Sequence, residues 1–140
     1  MKAQKKRKQP QASSPHQDIH LNLFREITDA VPAMIAVYSL KTGEYTYVNK
    51  AIRKLLGYSP GDFTKKGLAF VSALVHPEDI HAITEKNLKA LEEANKTGSK
   101  QTDRETFVNF EYRMRHKNGD YRWLHTDGSV FKRDDRGKVE

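Results

Sequence analysis

The chain has 140 residues, of which 36% are hydrophobic and 31% charged, with no cysteine and a formal net charge of +7. This length suits one domain around one core. No apolar run approaches the length of a membrane-spanning helix, and the lack of cysteine excludes disulfides, thiolate metal sites and cysteine nucleophiles.

The charge is uneven. Lys2, Lys5, Lys6, Arg7 and Lys8 supply five of the 25 basic groups, which leaves 20 basic and 18 acidic groups for the other 130 residues. Residues 1–17, MKAQKKRKQPQASSPHQ, therefore read as a disordered, solvated basic leader. Such a tail can touch nucleic acid or anionic lipid, but no specific nucleic-acid binding is expected. No apolar segment follows the basic start to make an export signal, so a cytoplasmic, non-inserted protein is expected.

From Asp18, Ile19, Leu23, Phe24, Ile27, Ala30 and Val31 recur on one helical face, predicting a flanking helix over 18–31 that ends at Pro32. Residues 34–40 and 45–48 are rich in strand formers and flank the turn at 41–44, which predicts a hairpin. Asn49 then suits a helix N-cap, Ala51, Ile52, Leu55 and Leu56 have helical spacing, and Gly57 suits the left-handed residue that closes a helix. Short helical pieces are expected at 60–63 and 68–74. A long helix follows from about 75 to 95, with Pro77 at its first position and Glu78 and Asp79 at its positive end. Residues 96–102 form a polar loop. Alternating residues at 106–115, a turn at Asn118-Gly119 and a return over 120–132 predict a second hairpin, followed by a turn at 133–137. Strands clustered around helices imply an α+β fold with an antiparallel sheet.

The stretch GYSPG at 57–61 matches the G-x-S-x-G pattern of a hydrolase nucleophile elbow. An elbow needs a strand before the serine and an oxyanion-hole loop elsewhere. Here a helix precedes Ser59 and no HGG-like loop exists. Ser59 instead suits an N-cap, with Pro60 at the first position and Asp62 at the third.

In their order and spacing, these segments resemble the PAS domain family of bacterial sensor modules. The matching pieces are IAVYSLKTGEYTYVNKAIRKLLGYSPGDF, LVHPEDI, FEYRMRHKNGDYRWLH and RDDRGKVE, spread over residues 33–140. The resemblance implies a PAS sensor domain over 33–140, with an antiparallel sheet and the long helix on one of its faces. It also implies a fifth strand after the RDDRGKVE turn, whereas the chain stops at Glu140. The expectation is thus a sensor whose histidine kinase, cyclase or other output domain lies outside this sequence.

No cofactor is indicated with certainty. His76 and His81 lie about 140° apart on the long helix and cannot share a face. A haem-binding relative would use His81 as axial ligand, but His81 sits about 100° from Ile80, at the edge of the apolar stripe. Cysteinyl-flavin photochemistry is excluded, whereas noncovalent flavin is not. Thr84 and Asn87 fall within the apolar stripe of the long helix, where they would orient a ligand or bond to backbone or water. A two-residue turn at 118–119 would place Trp123 on the face of Phe110 and Tyr112, and one extra turn residue reverses this. The resemblance favours the reversed register, with Tyr121, Trp123 and His125 outward.

The expected ligand cavity is lined by Phe70, Leu74, Thr84, Asn87, Leu88, Phe110, Tyr112, Met114, Leu124 and Thr126. The expected interaction surface is Leu23, Phe24 and Ile27 of the flanking helix together with Tyr121 and Trp123, forming a homodimer. The function expected is non-catalytic: sensing a small molecule or partner and relaying a population shift to the output domain. A haem sensor through His81 and a ligand-free dimerisation domain are the alternatives.

Overall fold

The computed structural model describes residues 15–96 and 106–140. Their order is α1 (Pro15–Ala30), β1 (Ala36–Ser39), β2 (Glu44–Val48), α2 (Ile52–Leu56), α3 (Pro60–Leu74), α4 (Pro77–Lys96), β3 (Thr106–Arg115) and β4 (Tyr121–Ser129). β1 pairs with β2 and β3 with β4, giving two antiparallel two-stranded sheets in an α+β fold. Helix α1 begins at Pro15, so 15–17 are helical. The rest of the expected leader, 1–14, and most of the 96–102 loop lie outside the described residues.

Apolar spacing builds the core. Ile52 and Leu56 lie one turn apart on α2 and are fully buried with Phe63, alongside Val48, Val71, Leu74 and Met114. α3 combines the two short helical pieces in one bent element. Gly67 interrupts it at φ 73°, a left-handed conformation that only glycine adopts readily. The break lets both halves turn an apolar side chain, Phe63 from one and Val71 from the other, into the same core.

Ser59 caps α3. Its hydroxyl accepts from the Asp62 amide at 3.2 Å, and the Asp62 carboxylate accepts from the Ser59 amide at 2.9 Å. Pro60 occupies the first turn, so GYSPG is a helix junction. These Ser59 bonds, with the Lys66 ammonium at 2.9 Å, hold the Asp62 carboxyl far below the usual carboxylate range.

Asn49 is not the N-cap of α2. That position is Ala51, which makes no side-chain cap. Asn49 is 1% exposed and bonds backward along the chain. Its Oδ1 accepts from Ile35 N at 2.9 Å, and its Nδ2 donates to Thr28 O at 2.7 Å and Ala33 O at 3.0 Å. The end of α1 docks beside it. Thr28 shares a hydrogen bond with the Tyr47 hydroxyl, Phe24 packs on the Tyr47 ring at 5.1 Å, and Asp29 pairs with Lys50 at 2.9 Å.

The β3–β4 register pairs Tyr112 with Leu124 and Met114 with Arg122. This is the reversed register. The turn is longer than Asn118-Gly119 alone, with His116 N donating to Asp120 O at 2.7 Å and Gly119 N to His116 O at 2.9 Å.

Candidate functional site

The β1–β2 hairpin, the adjoining helices and the inner face of β3–β4 carry a wall of aromatic side chains. Tyr38, Tyr45, Phe63, Phe70 and Tyr58 follow one another edge to face or tilted, at centroid distances of 5.1, 5.9, 6.0 and 5.5 Å. On β3, Phe110 and Tyr112 pack on each other edge to face at 5.4 Å. Hydroxyl groups punctuate it. Thr126 Oγ1 donates to the Tyr112 hydroxyl at 3.4 Å. Burial pushes the Tyr45 phenol up to about 12, reinforced by Tyr112 and Tyr38. Burial also raises Tyr112, opposed by the Thr126 hydroxyl. Both phenols therefore stay neutral and able to donate at physiological pH. Phe110, Tyr112, Met114, Leu124 and Thr126 share one sheet face, with Arg122 opposite Met114 at the end nearest α2.

Helix α4 crosses this region and is fastened at its two ends. At its start, Asp79 accepts from Arg113 N at 2.8 Å, Nε at 3.0 Å and Nη2 at 2.6 Å, and Glu78 accepts from Nη2 at 2.9 Å. Arg113 thereby lowers the Asp79 carboxyl to about 2, and the two carboxylates raise the guanidinium further. At the other end, Arg133 Nη1 donates to Ala94 O at 3.0 Å and Asn95 Oδ1 accepts from Val139 N at 3.0 Å. Between these clamps, residues 84–89 are all exposed.

The residues expected to line a cavity fall into two groups. Leu74 and Met114 are buried, and Phe70, Phe110, Tyr112, Leu124 and Thr126 are half-buried beside them. Thr84, Asn87 and Leu88 are exposed, Leu88 at 57%. Their place in an inward stripe is corrected. The half-buried positions Ile80, Ile83, Ala90, Leu91 and Ala94 centre on a direction rotated from the stripe expected around Ile80. Thr84 satisfies its hydroxyl locally by donating to Ile80 O at 2.8 Å. His81 is exposed and lies about 130° from the centre of that half-buried face, so it is not placed as an axial ligand. Sequence reasoning missed Tyr45 and Tyr58, whose signal was aromatic residues at strand and turn positions flanking the first helix pair.

On the opposite sheet face, Trp123 is 68% exposed with Arg113 against its ring at 5.4 Å, and Tyr121 and His125 are exposed too. Leu23, Phe24 and Ile27 of α1 are exposed, although Phe24 also meets Tyr47. Within the chain α1 does not cover the Trp123 face.

This arrangement is matched among known proteins. Residues 45–140 match the PAS fold family, and residues 2–75 match the UPF0242 C-terminal PAS-like domain. The chain belongs to the PAS fold family. This PAS chain is 29% identical over 127 residues to the White collar 1 protein of Neurospora crassa, covering 91% of itself but 9% of that protein. Two solved structures resemble it at 26% identity. The PAS domain of a Colwellia psychrerythraea protein superimposes with a TM-score of 0.62, over 86% of this chain and 89% of that one. The N-terminal domain of a Marinobacter aquaeolei diguanylate cyclase with a PAS/PAC sensor gives 0.56, over 74% and 82%. The chain is a PAS sensory domain. Among the described residues, no helix of this PAS domain is long and apolar enough to cross a membrane.

Proposed function

We propose that this PAS domain is a non-catalytic cytoplasmic sensor that takes a neutral, largely aromatic small molecule against the wall beneath α4. The output is a domain elsewhere in the protein, a histidine kinase or a cyclase of the kind joined to the Marinobacter sensor. The carrying observation is an aromatic, hydroxyl-bearing wall on the sheet whose strand β3 adjoins α4, a helix fastened at both ends with residues 84–89 exposed between the clamps. The aromatic and hydroxyl side chains of the wall offer a charged ligand no counter-ion, the Arg122 guanidinium on that sheet face being turned to the Lys54 and Leu55 carbonyls, and burying an unpaired charge is costly. The Tyr112 and Thr126 hydroxyls supply donors and acceptors for a neutral one. Occupancy favours one position of α4, and the change passes outward as a population shift. Native mass spectrometry with an absorbance spectrum of the purified chain tests this, by showing bound mass or colour. Tyr112→Phe combined with Thr126→Val is expected to weaken that binding tenfold or more, since each hydrogen bond lost is worth on the order of 1 kcal/mol. Equal affinity in the double variant refutes the assignment.

A second reading is homodimerisation, favoured by the exposed apolar face of α1. Glu26 flanks that face, and Arg115 beside Tyr121 and Trp123 on the outer sheet offers it opposite charge. The helix of one copy would lie on the outer sheet of the other. Leu23→Glu with Ile27→Glu should give monomers in light scattering, and an unchanged oligomer removes this interface.

A further inference from the structure

The last turn of α2 carries Arg53 and Lys54, and the β3–β4 turn and the start of β4 bring Lys117 and Arg122 against it. Every carbonyl that ends this helix is bonded. Gly57 N donates to Arg53 O at 3.0 Å. Arg122 Nη1 donates to Lys54 O at 3.1 Å and Leu55 O at 2.8 Å. Lys117 N donates to Leu56 O at 2.8 Å. A helix C-terminus ordinarily presents these carbonyls as its negative end. Here that end is closed, and the surface it turns to solvent is cationic.

Several other cations on the described surface are paired. Lys41 and Lys132 meet Glu140, Lys50 meets Asp29, Lys66 meets Asp62, Lys89 meets Glu85, and Arg113 meets Glu78 and Asp79. Arg53, Lys54, Lys117 and Arg122 are exposed and form no ion pair among the described residues. The nearby Asp120 carboxylate accepts from Asn118 Nδ2 at 3.0 Å. The platform is also firm. Ile52 and Leu56 beneath it are fully buried, and a Cβ on Gly57 would stand 3.0 Å from the His116 ring and from Lys117 Cβ. A rigid surface loses little freedom on binding.

We propose that Arg53, Lys54, Lys117 and Arg122 form a docking surface for an acidic protein segment, a short run of Asp and Glu side chains. Charge complementarity sets the sign. The body's charge balance sets the class: outside the first ten residues the chain carries 20 basic and 18 acidic groups. A nucleic-acid duplex, with a charge every ~1.7 Å of its axis, would meet those acids as it crossed the body. A short acidic segment covers the four cations alone.

The test is fluorescence anisotropy of labelled octaglutamate with the full chain at low salt. The parent binds, and added salt weakens the complex. Lys54→Glu with Lys117→Glu should weaken it on the order of tenfold or more, because two attractive pairs become repulsive. Lys54→Gln with Lys117→Gln should produce a smaller loss in the same direction, a check should the reversed charges perturb folding. Changing Lys5, Lys6 and Lys8 to Gln should leave binding in place. No binding by the parent, equal binding by the double variants, or loss confined to the tail variant overturns the proposal. A DNA duplex that binds more tightly than octaglutamate, and is released by the same double variant, overturns the assigned partner class.

Discussion

Asn49 offers the sharpest test of how the fold is held. Its side chain joins three stretches of backbone: the end of α1 at Thr28, the linker at Ala33, and Ile35 just before β1. A hydrogen bond of this kind contributes about 1 kcal/mol net, and a buried partner left unsatisfied costs more. Thr28 O keeps a second donor in Val31 N at 3.3 Å, and Ala33 is exposed enough for water to replace the lost bond. Ile35 N has no such replacement on this side chain. Asn49→Ala should therefore destabilise by about 2–4 kcal/mol, measured as a lower urea midpoint at unchanged slope. Asn49→Asp sharpens the point. It keeps the acceptor for Ile35 N but sets a second oxygen against the carbonyls of Thr28 and Ala33. That opposition raises the folded pKa of the new carboxyl above its unfolded value. Such a group stabilises at low pH, and its contribution is lost as pH rises through the folded pKa. Asn49→Asp should thus recover relative to Asn49→Ala on acidification. An Asn49→Ala loss under 0.5 kcal/mol, or an Asn49→Asp variant that loses stability on acidification as the parent does, refutes the joint.

Three further outcomes follow from the described contacts. Ser59→Ala removes the α3 cap and should cost about 1 kcal/mol by urea unfolding, with no loss of any ligand binding; an unchanged midpoint refutes the cap. Asp79 is held at about 2 by Arg113, so its contribution is present above the unfolded carboxyl range and disappears as pH falls from about 4 to about 2. Asp79→Asn should lower the midpoint at pH 7 and flatten the decline between pH 4 and 2, and an acid limb as steep as the parent's counts against the clamp. Tyr45 titrates at about 12, so its neutral form favours the fold and that stability is lost as pH rises from about 10 to 12. In absorbance titration Tyr45→Phe should remove the latest phenolate component, and its persistence would assign that component elsewhere.

The elements legible in the sequence were those written in periodic apolar spacing. Ile52 and Leu56 one turn apart, the alternation through Phe110, Tyr112 and Met114, and the Ser59-Pro60-Asp62 start of α3 all announce local structure by local rules. Asn49 shows where such rules stop. A cap and a buried hub place the same residue type after a strand, and only the backbone groups of Thr28, Ala33 and Ile35, up to 21 positions away, decide between them. The face of α4 was misjudged for a related reason. Periodicity shows that a stripe exists, but its burial depends on where Arg113 and Arg133 pull the helix ends, and those residues lie on the second hairpin and the turn after it.

The candidate site itself rests on a single residue of register. With direct pairing through a two-residue turn, Trp123 and His125 would face inward and Thr126 outward. The wall would gain a titratable imidazole and lose the hydroxyl that meets Tyr112. The observed pairing of Tyr112 with Leu124 and Phe110 with Thr126 does the opposite. Three features beyond the turn sequence enforce it. His116 N closes on Asp120 O, so five residues rather than two make the turn. Arg122, opposite Met114, reaches the carbonyls of Lys54 and Leu55, a reach available only from the inner face. Val75 bridges to Met114 from the other edge, fixing β3 against the start of α4. The same register also leaves Arg113, Arg115, Tyr121 and Trp123 together on the outer face. Because side chains alternate along a strand, a slip of one residue would exchange the two surfaces at once. An inner face bearing the Tyr112–Thr126 hydroxyl pair and an outer face bearing Arg113, Arg115, Tyr121 and Trp123 are therefore two consequences of one turn, and the proposed sensing and association surfaces stand or fall with it.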